Sequence, residues 1–130
     1  MTAYGCDFRI LVTGSRSWTD YRTIVEALET TTGSVRLYHP DTRFVIVHGH
    51  CPKGADAMAD RYGVEHRLTV ERHPAQWQAF GKSAGFKRNS HMVSLGADIC
   101  LAFIKNRSAG ASMTARLAEE AGILTWRYLA

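Results

Sequence analysis

The chain has 130 residues, of which 45% are hydrophobic and 22% are charged, proportions typical of a globular protein with a core of its own. Its 16 basic and 12 acidic residues leave a formal net charge of +4. The basic residues are scattered, which fits binding of small anions and disfavours nucleic acid as a partner. No apolar run approaches the roughly 20 residues that span a bilayer, and residues 1–7 lack the pattern of a signal peptide. We therefore expect one domain over residues 1–130 and no membrane partner.

Apolar runs alternate with segments of helical periodicity along the whole chain. Gly33 and Gly63 are expected to end the first two helices. In chain order, the predicted elements are a strand at 8–12, a helix at 20–31, a loop at 35–42, a strand at 44–48, a helix at 54–62, a half-exposed strand at 64–71, a connector at 73–85, a helix at 84–95, a strand at 98–104, a loop at 105–110, a helix at 111–121 and a strand at 123–129.

This alternation predicts an α/β fold in which a parallel sheet has helices on both faces, a three-layer sandwich. In such sheets, ligands bind beyond the carboxyl ends of the strands, where the strand order reverses. The loops expected there are also the ones richest in glycine, serine and basic residues. That coincidence is the main argument from the residues for a binding site.

The first of these loops, at 14–18, follows the first predicted strand. Gly14 allows a tight turn whose N–H groups, with those of the next helix start, can face an anion. The Ser15 hydroxyl and the planar guanidinium of Arg16 suit phosphate oxygens. The alternative is a plain strand–helix turn with a surface arginine.

The second glycine loop, at 49–54, precedes the second predicted helix. Lys53 and Gly54 are placed to hold a phosphate at that helix start. Asp56 has two interpretations that the sequence leaves open. It is either a carboxylate that only stabilises the helix dipole, or an acceptor for a ribose hydroxyl.

His48, His50 and Cys51 lie close together but lack a second ligand pair at zinc-site spacing, so we expect no metal. Together with Cys6 and Cys100, Cys51 makes an odd number of cysteines without paired spacing. This pattern predicts free thiols, a buried Cys100 and a reducing, cytoplasmic compartment.

Two further segments complete the candidate site. Trp77 and Phe80 are either core anchors or a stacking wall for a base. Arg88 and Asn89, near the start of a predicted helix, form either a solvated face or an anion contact. Gly110 lies in a third small-residue loop that enters a helix.

The combined pattern resembles the YspA-like, cpYpsA-related branch of the SLOG superfamily, the Rossmann-like group that includes the LOG phosphoribohydrolases and the DNA-processing protein DprA. The resemblance covers nearly the whole chain. It implies a Rossmannoid domain that binds a nucleotide or a nucleotide-derived ligand. The motifs that carry it are Val12-Thr13-Gly14-Ser15-Arg16, His48-Gly49, Lys53-Gly54-Ala55-Asp56, Trp77, Gly81-Lys82, Ala84-Gly85, Arg88-Asn89, Met92, Asp98 and Ala102-Phe103. The residues that it implies for the pocket are Gly14, Ser15, Arg16, Gly49, Gly54, Asp56, Arg88 and Asn89.

One departure from the LOG pattern bears on catalysis. LOG enzymes carry a Pro-Gly-Gly-x-Gly-Thr loop followed by an acidic residue in the next helical turn, and an arginine that Arg88 matches. Here only Gly110 matches the loop, and Met113 and Thr114 stand where the acid would be. Cleavage of an N-glycosidic bond needs such a carboxylate. Efficient LOG-type hydrolysis is therefore not expected.

The sequence thus predicts a protein that binds a nucleoside phosphate or an ADP-ribose-like signal and needs no cofactor. The alternative is an N-glycoside hydrolase with Asp56 and Arg88 as catalytic candidates, and DNA binding by analogy to DprA is disfavoured by the modest charge. The oligomeric state stays open, with a homodimer or a higher oligomer among the alternatives. Phosphates are assigned to Arg16, Lys53 and Arg88, the ribose to Asp56, the base to Trp77 or Phe80, and further lining positions to Trp18 and Gly110.

Overall fold

A computed structural model describes residues 7–130 of the chain. No helix in this range is long and apolar enough to cross a membrane. The elements, in chain order, are β1 (Asp7–Gly14), α1 (Tyr21–Tyr38), β2 (Arg43–His48), α2 (Ala55–Glu65), β3 (Thr69–Arg72), α3 (Trp77–Phe80), a 3₁₀ turn (Gly81–Ser83), α4 (Ala84–Ser94), β4 (Ile99–Ile104), α5 (Ala109–Glu120) and β5 (Leu124–Leu129).

The five strands form one sheet in the order β3-β2-β1-β4-β5, and every neighbouring pair is parallel. β1 is central, with Ile10 paired to Ile46 of β2 on one side and to Ile99 of β4 on the other. The strand order reverses between β1 and β4, as in Rossmann-like sheets. The predicted α/β, Rossmann-like fold is confirmed.

Two cores cover the two faces of the sheet, because successive residues of a strand point to opposite sides. Ile10 and Val12 of β1 pack with residues of α1 and α2. Leu11, between them, packs with Met92 of α4 and Ala118 of α5. Helices therefore lie on both faces, which gives the predicted three layers.

The first helix does not end at Gly33. α1 continues to Tyr38, so the first half of the predicted loop at 35–42 is helical. Thr32 is buried and Val35 packs against the core, so this turn contributes apolar contacts that outweigh the helix penalty of glycine. A Cβ at Gly33 would meet nothing within 4 Å.

Gly63 does not end the second helix either. α2 continues through it to Glu65, and β3 is correspondingly shorter than the predicted strand at 64–71. A Cβ at Gly63 would lie 2.6 Å from Cγ2 of Val70. Glycine is present here because the helix and the edge strand approach closely, and the break comes at Arg67, which has a positive φ of 57°.

Candidate functional site

A cleft of about 450 Å³ opens beyond the carboxyl ends of β1 and β4, where the strand order reverses. This is the place that the sequence predicts for a ligand. Several predicted site residues line it together, namely Gly14, Ser15, Arg16, Asp56, Trp77, Arg88, Asn89 and Gly110.

The loop after β1 makes a tight turn in which the Trp18 N–H donates to the Ser15 carbonyl at 3.1 Å. Gly14 allows this turn to sit close to its neighbours, since a Cβ there would lie 2.3 Å from the Ala55 Cβ. Within residues 7–130, the N–H groups of Arg16 and Ser17 have no acceptor. They line the cleft and are free to bind an anion.

Ser15 joins two loops of the site. Its Oγ accepts from the Lys105 N–H at 2.8 Å and lies 3.3 Å from the Lys105 carbonyl oxygen, to which it donates. The Ser15 N–H donates to the Phe103 carbonyl at 2.9 Å, and its own carbonyl accepts from the Ala55 N–H at 3.2 Å. The Ser15 hydroxyl is thus occupied by its two hydrogen bonds to Lys105, which we call the Ser15–Lys105 clasp. In this turn, the groups that remain free to bind an anion are the N–H groups of Arg16 and Ser17.

The N-terminus of α5 faces the same cleft. α5 begins at Ala109, earlier than predicted, and Ser108 is its N-cap residue. In the part of the chain that the structure describes, nothing accepts from the N–H groups of Ala109, Gly110 and Ala111. Unpaired amides and the positive end of the helix dipole favour an anion here.

Neither residue at the position of the LOG acid is acidic. Met113 lines the cleft with an apolar side chain. Thr114 is buried, and its hydroxyl donates to the Gly110 carbonyl at 3.0 Å within the helix. The wall that would present a carboxylate in a LOG enzyme is apolar in this protein.

Arg88 crosses from α4 to the loop after β2. Its Nη1 donates to the carbonyl of Gly49 and, at 3.3 Å, to that of His73, while its Nε donates to Oδ1 of Asn89 at 2.6 Å. Gly49 itself does not line the cleft. A Cβ there would lie 2.5 Å from Nη1, so glycine is required to seat the guanidinium.

Asp56 is a buried carboxylate in the first turn of α2. Its Oδ2 accepts from the Cys51 N–H at 3.3 Å, so it caps the second glycine loop and also lines the cleft. Burial raises the pKa of Asp56, and the nearby His48 and Arg88 oppose that effect. Both sequence interpretations are thus compatible with its position.

Trp77 and Phe80 are not core anchors, because 49% and 47% of their surfaces are exposed. Trp77 lines the cleft, and the guanidinium carbon of Arg16 lies 5.9 Å from its ring centroid. Phe80, one turn further along, lines a neighbouring cavity instead.

Besides Gly49, three predicted site residues lie outside the cleft lining. Trp18 is buried, packs edge-on against Phe103 at 5.5 Å and donates its indole N–H to the Asp20 carbonyl, so it does not line the cleft. Lys53 is exposed and does not line the cleft. Gly54 has a positive φ of 80° and supports the first loop from behind, since a Cβ would lie 2.3 Å from the Ser15 carbonyl oxygen.

Sequence reasoning missed Ser17, Cys51 and Phe86, which also line the cleft. Ser17 could have been found from its position beside Arg16 in the turn. Phe86 carries a weaker signal, an aromatic residue two positions before Arg88 that remains 49% exposed.

His48, His50 and Asp60 bring their potential ligand atoms within 4.8 Å of one another. Their hydrogen bonds account for this arrangement without an ion. His48 Nε2 lies 2.8 Å from Asp60 Oδ2, and His48 Nδ1 accepts from the His50 N–H. Arg72 already binds both Asp60 oxygens, at 2.6 and 3.2 Å, and a cation in that position opposes a metal ion.

The cysteines behave as predicted where the structure describes them. Cys51 and Cys100 are free thiols. Cys100 is buried in β4, and burial raises its pKa to about 12. The prediction for Cys6 lies outside the described residues.

Comparison with known proteins finds one matching family model and one similar phage protein. A family model described as YspA, cpYpsA-related SLOG family matches residues 8–80, which run from β1 through α3. The chain is also 42% identical over 120 residues to the Gene 61 protein of Mycobacterium phage D29, an alignment that covers 88% of this chain and 91% of that protein. No solved structure matches the chain.

Proposed function

The chain belongs to the YspA, cpYpsA-related SLOG family, and from this premise we propose that its cleft binds a nucleotide or a nucleotide-derived ligand by its phosphate. The observation that carries the proposal is the convergence of unpaired amides on one cavity. The Arg16–Ser17 turn and the start of α5 face the cleft from two sides. Such amides bind phosphate in many nucleotide sites.

The unpaired amides of Arg16, Ser17 and the start of α5 are called the amide seat below. Two guanidinium groups add positive charge to it. Arg16 lies beside Trp77 in the cleft, and Arg88, which also lines the cleft, is held by backbone carbonyls. A planar guanidinium can donate two parallel hydrogen bonds to a phosphate. The phosphate therefore lies between the amides and the two arginines.

The remaining lining fits the other parts of a nucleotide. Trp77 offers an exposed indole face on which a base can stack, and Asp56 offers a carboxylate to a ribose hydroxyl. The ligand class that uses all these groups is a nucleoside phosphate or an ADP-ribose-like derivative.

The test is a thermal-shift titration with mononucleotides and dinucleotides. A ligand at 100 times its dissociation constant stabilises the folded state by about 2.7 kcal/mol, so a binder raises the melting temperature by several degrees. Arg16→Ala should weaken the shift, whereas Arg22→Ala, an exposed arginine on α1, should leave it unchanged. The absence of a shift with every nucleotide would refute the proposal.

A second candidate function is N-glycoside hydrolysis. The observation in its favour is the buried Asp56 carboxylate, whose raised pKa suits a general acid–base group. Against it stands Met113 in the place of the LOG acid. Loss of a general acid–base group costs roughly 10² to 10⁴ in rate, so we expect release of adenine from AMP to stay near background.

Chromatography of AMP incubated with the protein separates the two functions. Base release that Asp56→Asn abolishes would favour the hydrolase. Binding of AMP without base release would favour a sensor or a carrier.

A further inference from the structure

A second cavity of about 440 Å³ adjoins the nucleotide cleft on the far side of Arg88. Its walls are the segment that follows β3, the end of α3 and one face of α4. Residues 84, 87, 88 and 91 all line it, and this spacing of three and four residues places them on one helical face. Of the residues to which the proposed function gives a phosphate, a ribose or a base, Arg88 alone lines this cavity.

The lining of this cavity is basic, and among the described residues none that lines it carries a carboxylate. Two of its basic residues, Arg72 and His73, already have acidic partners that do not line the cavity. Arg72 is paired with Asp60, and His73 Nε2 lies 2.6 Å from Oε2 of Glu71, which Arg9 also binds.

Three other groups of the lining have no such partner. Lys87, Arg88 and His91 form no ion pair with any residue in the described range 7–130. The ammonium of Lys87 lies 5.0 Å from the centroid of the Phe80 ring, so an aromatic face and a positive charge occur together. Two positive charges and an imidazole therefore face a cavity with no carboxylate in its described lining, and this arrangement attracts an anion. The Asp56 carboxylate that interacts with Arg88 lines the neighbouring cleft.

Arg88 connects this cavity to the nucleotide cleft, because it lines both. Its Nη1 is held by carbonyls of the loops after β2 and β3, so the guanidinium stands fixed between the two spaces. A ligand that fills both spaces passes along this group.

We propose that the second cavity is a subsite for a distal phosphoryl group, so that the full ligand is a nucleotide derivative with two separated phosphoryl groups. The phosphate of one end binds at the amide seat of the cleft. The phosphate of the other end binds Lys87 and His91, and the group that links them lies against Phe80. This inference rests on the proposed nucleotide binding and adds the class of ligand.

The test compares three probes by isothermal titration calorimetry. AMP has one nucleoside and one phosphate, the dinucleoside monophosphate ApA has two nucleosides and one phosphate, and its 5′-phosphorylated form pApA has two of each. A charge-assisted hydrogen bond strengthens binding by about tenfold or more, so pApA should bind at least about tenfold more tightly than either AMP or ApA.

Variants assign that gain to the second cavity. The double variant Lys87→Met, His91→Gln changes two exposed side chains, and it should reduce the affinity for pApA to that for AMP while AMP binding stays unchanged. Lys82→Ala, an exposed lysine outside the lining, should change neither. Circular dichroism confirms that each variant is folded.

The relative affinities of the probes decide whether the second cavity binds a phosphoryl group. Equal affinities for AMP and pApA, or a gain that survives in the double variant, would overturn this inference and leave the proposed function standing. If ApA matched pApA, the cavity would recognise a base and not a phosphate. Tighter binding of a long 5′-phosphorylated oligoadenylate than of pApA would assign the cavity to a nucleic-acid strand. If no probe bound, both proposals would fall together.

Discussion

Substitution of Gly49 by alanine should separate ligand binding from folding. A Cβ at this position would lie 2.5 Å from Nη1, 2.6 Å from Cζ and 2.9 Å from Nε of Arg88. All three atoms belong to the end of a flexible side chain, and Gly49 is not among the residues of positive φ. The guanidinium should therefore move while the backbone keeps its course.

The destabilisation expected for Gly49→Ala follows from the hydrogen bonds that Arg88 would lose. Bonds to a charged group contribute about 1.5–3 kcal/mol each when buried, but Arg88 is only part-buried, so water replaces much of the loss. The lower entropy of the unfolded alanine variant offsets about 0.4–1 kcal/mol. We expect a net destabilisation of about 1 kcal/mol, and nucleotide binding weakened by about tenfold because Arg88 leaves the cleft wall.

Urea denaturation measures the change in the free energy of unfolding, and calorimetric titration with AMP measures the change in affinity. Gly33→Ala is the matched control, because a Cβ there meets nothing within 4 Å inside α1. It should stabilise the protein by about 0.5–1 kcal/mol and leave binding unchanged. In an Arg88→Ala background the clash is gone, so Gly49→Ala should no longer destabilise. An unchanged affinity for AMP in Gly49→Ala would refute the reasoning that Gly49 seats a ligand-binding arginine.

Three further predictions concern stability and reactivity. Gly54→Ala should destabilise the fold by about 3 kcal/mol in urea denaturation, because its Cβ would meet backbone atoms of the first loop at a positive φ; a loss below 1 kcal/mol would contradict this. Hydrogen bonds from Arg9 lower the pKa of Glu71 from 4.5 to about 2, so its stabilisation is complete above pH 4.5 and is lost as the pH falls toward 2. The free energy of unfolding should thus fall more steeply between pH 5 and pH 3 in the parent than in Glu71→Gln, and parallel curves would disprove the pairing. Cys100 should resist a thiol reagent such as DTNB in the native protein and react on unfolding, because burial raises its pKa to about 12; prompt native reaction, traced by peptide mass, would show that β4 opens readily.

The layers of the fold were predictable because the spacing of apolar residues along the sequence distinguishes strands from helices. The apolar runs of β1, β2 and β4 and the helical spacing of α1, α4 and α5 are local signals, and the parallel sheet follows from their alternation. The carboxyl ends of β1 and β4 then identify the cleft. Gly14 and Arg16, which line the cleft, were predicted in this way from the loop after the first strand, whereas Arg88 was predicted from its place near a helix start and from the family resemblance.

What remained hidden depends on contacts between distant parts of the chain. A glycine that ends a helix and one that admits a neighbour look alike in sequence, and only the approach of Val70 distinguishes Gly63. Trp18 lies in a loop with the composition of a ligand site, yet it is buried against Phe103 in the core. Phe103 is 85 positions away along the chain. The second cavity depends on the path of the connector at 73–83, whose short helix and 3₁₀ turn have no long periodicity to reveal them.

The clasp between Ser15 and Lys105 has a consequence for how selective the site is. It ties the turn after β1 to the loop after β4 through two backbone groups and one hydroxyl, so both loops are ordered before a ligand arrives. Binding then loses little conformational entropy at the phosphate seat, and more of each contact appears as affinity. A rigid seat also cannot adapt to a misplaced anion. Discrimination among nucleotides should therefore depend on where the phosphate lies relative to the rest of the molecule.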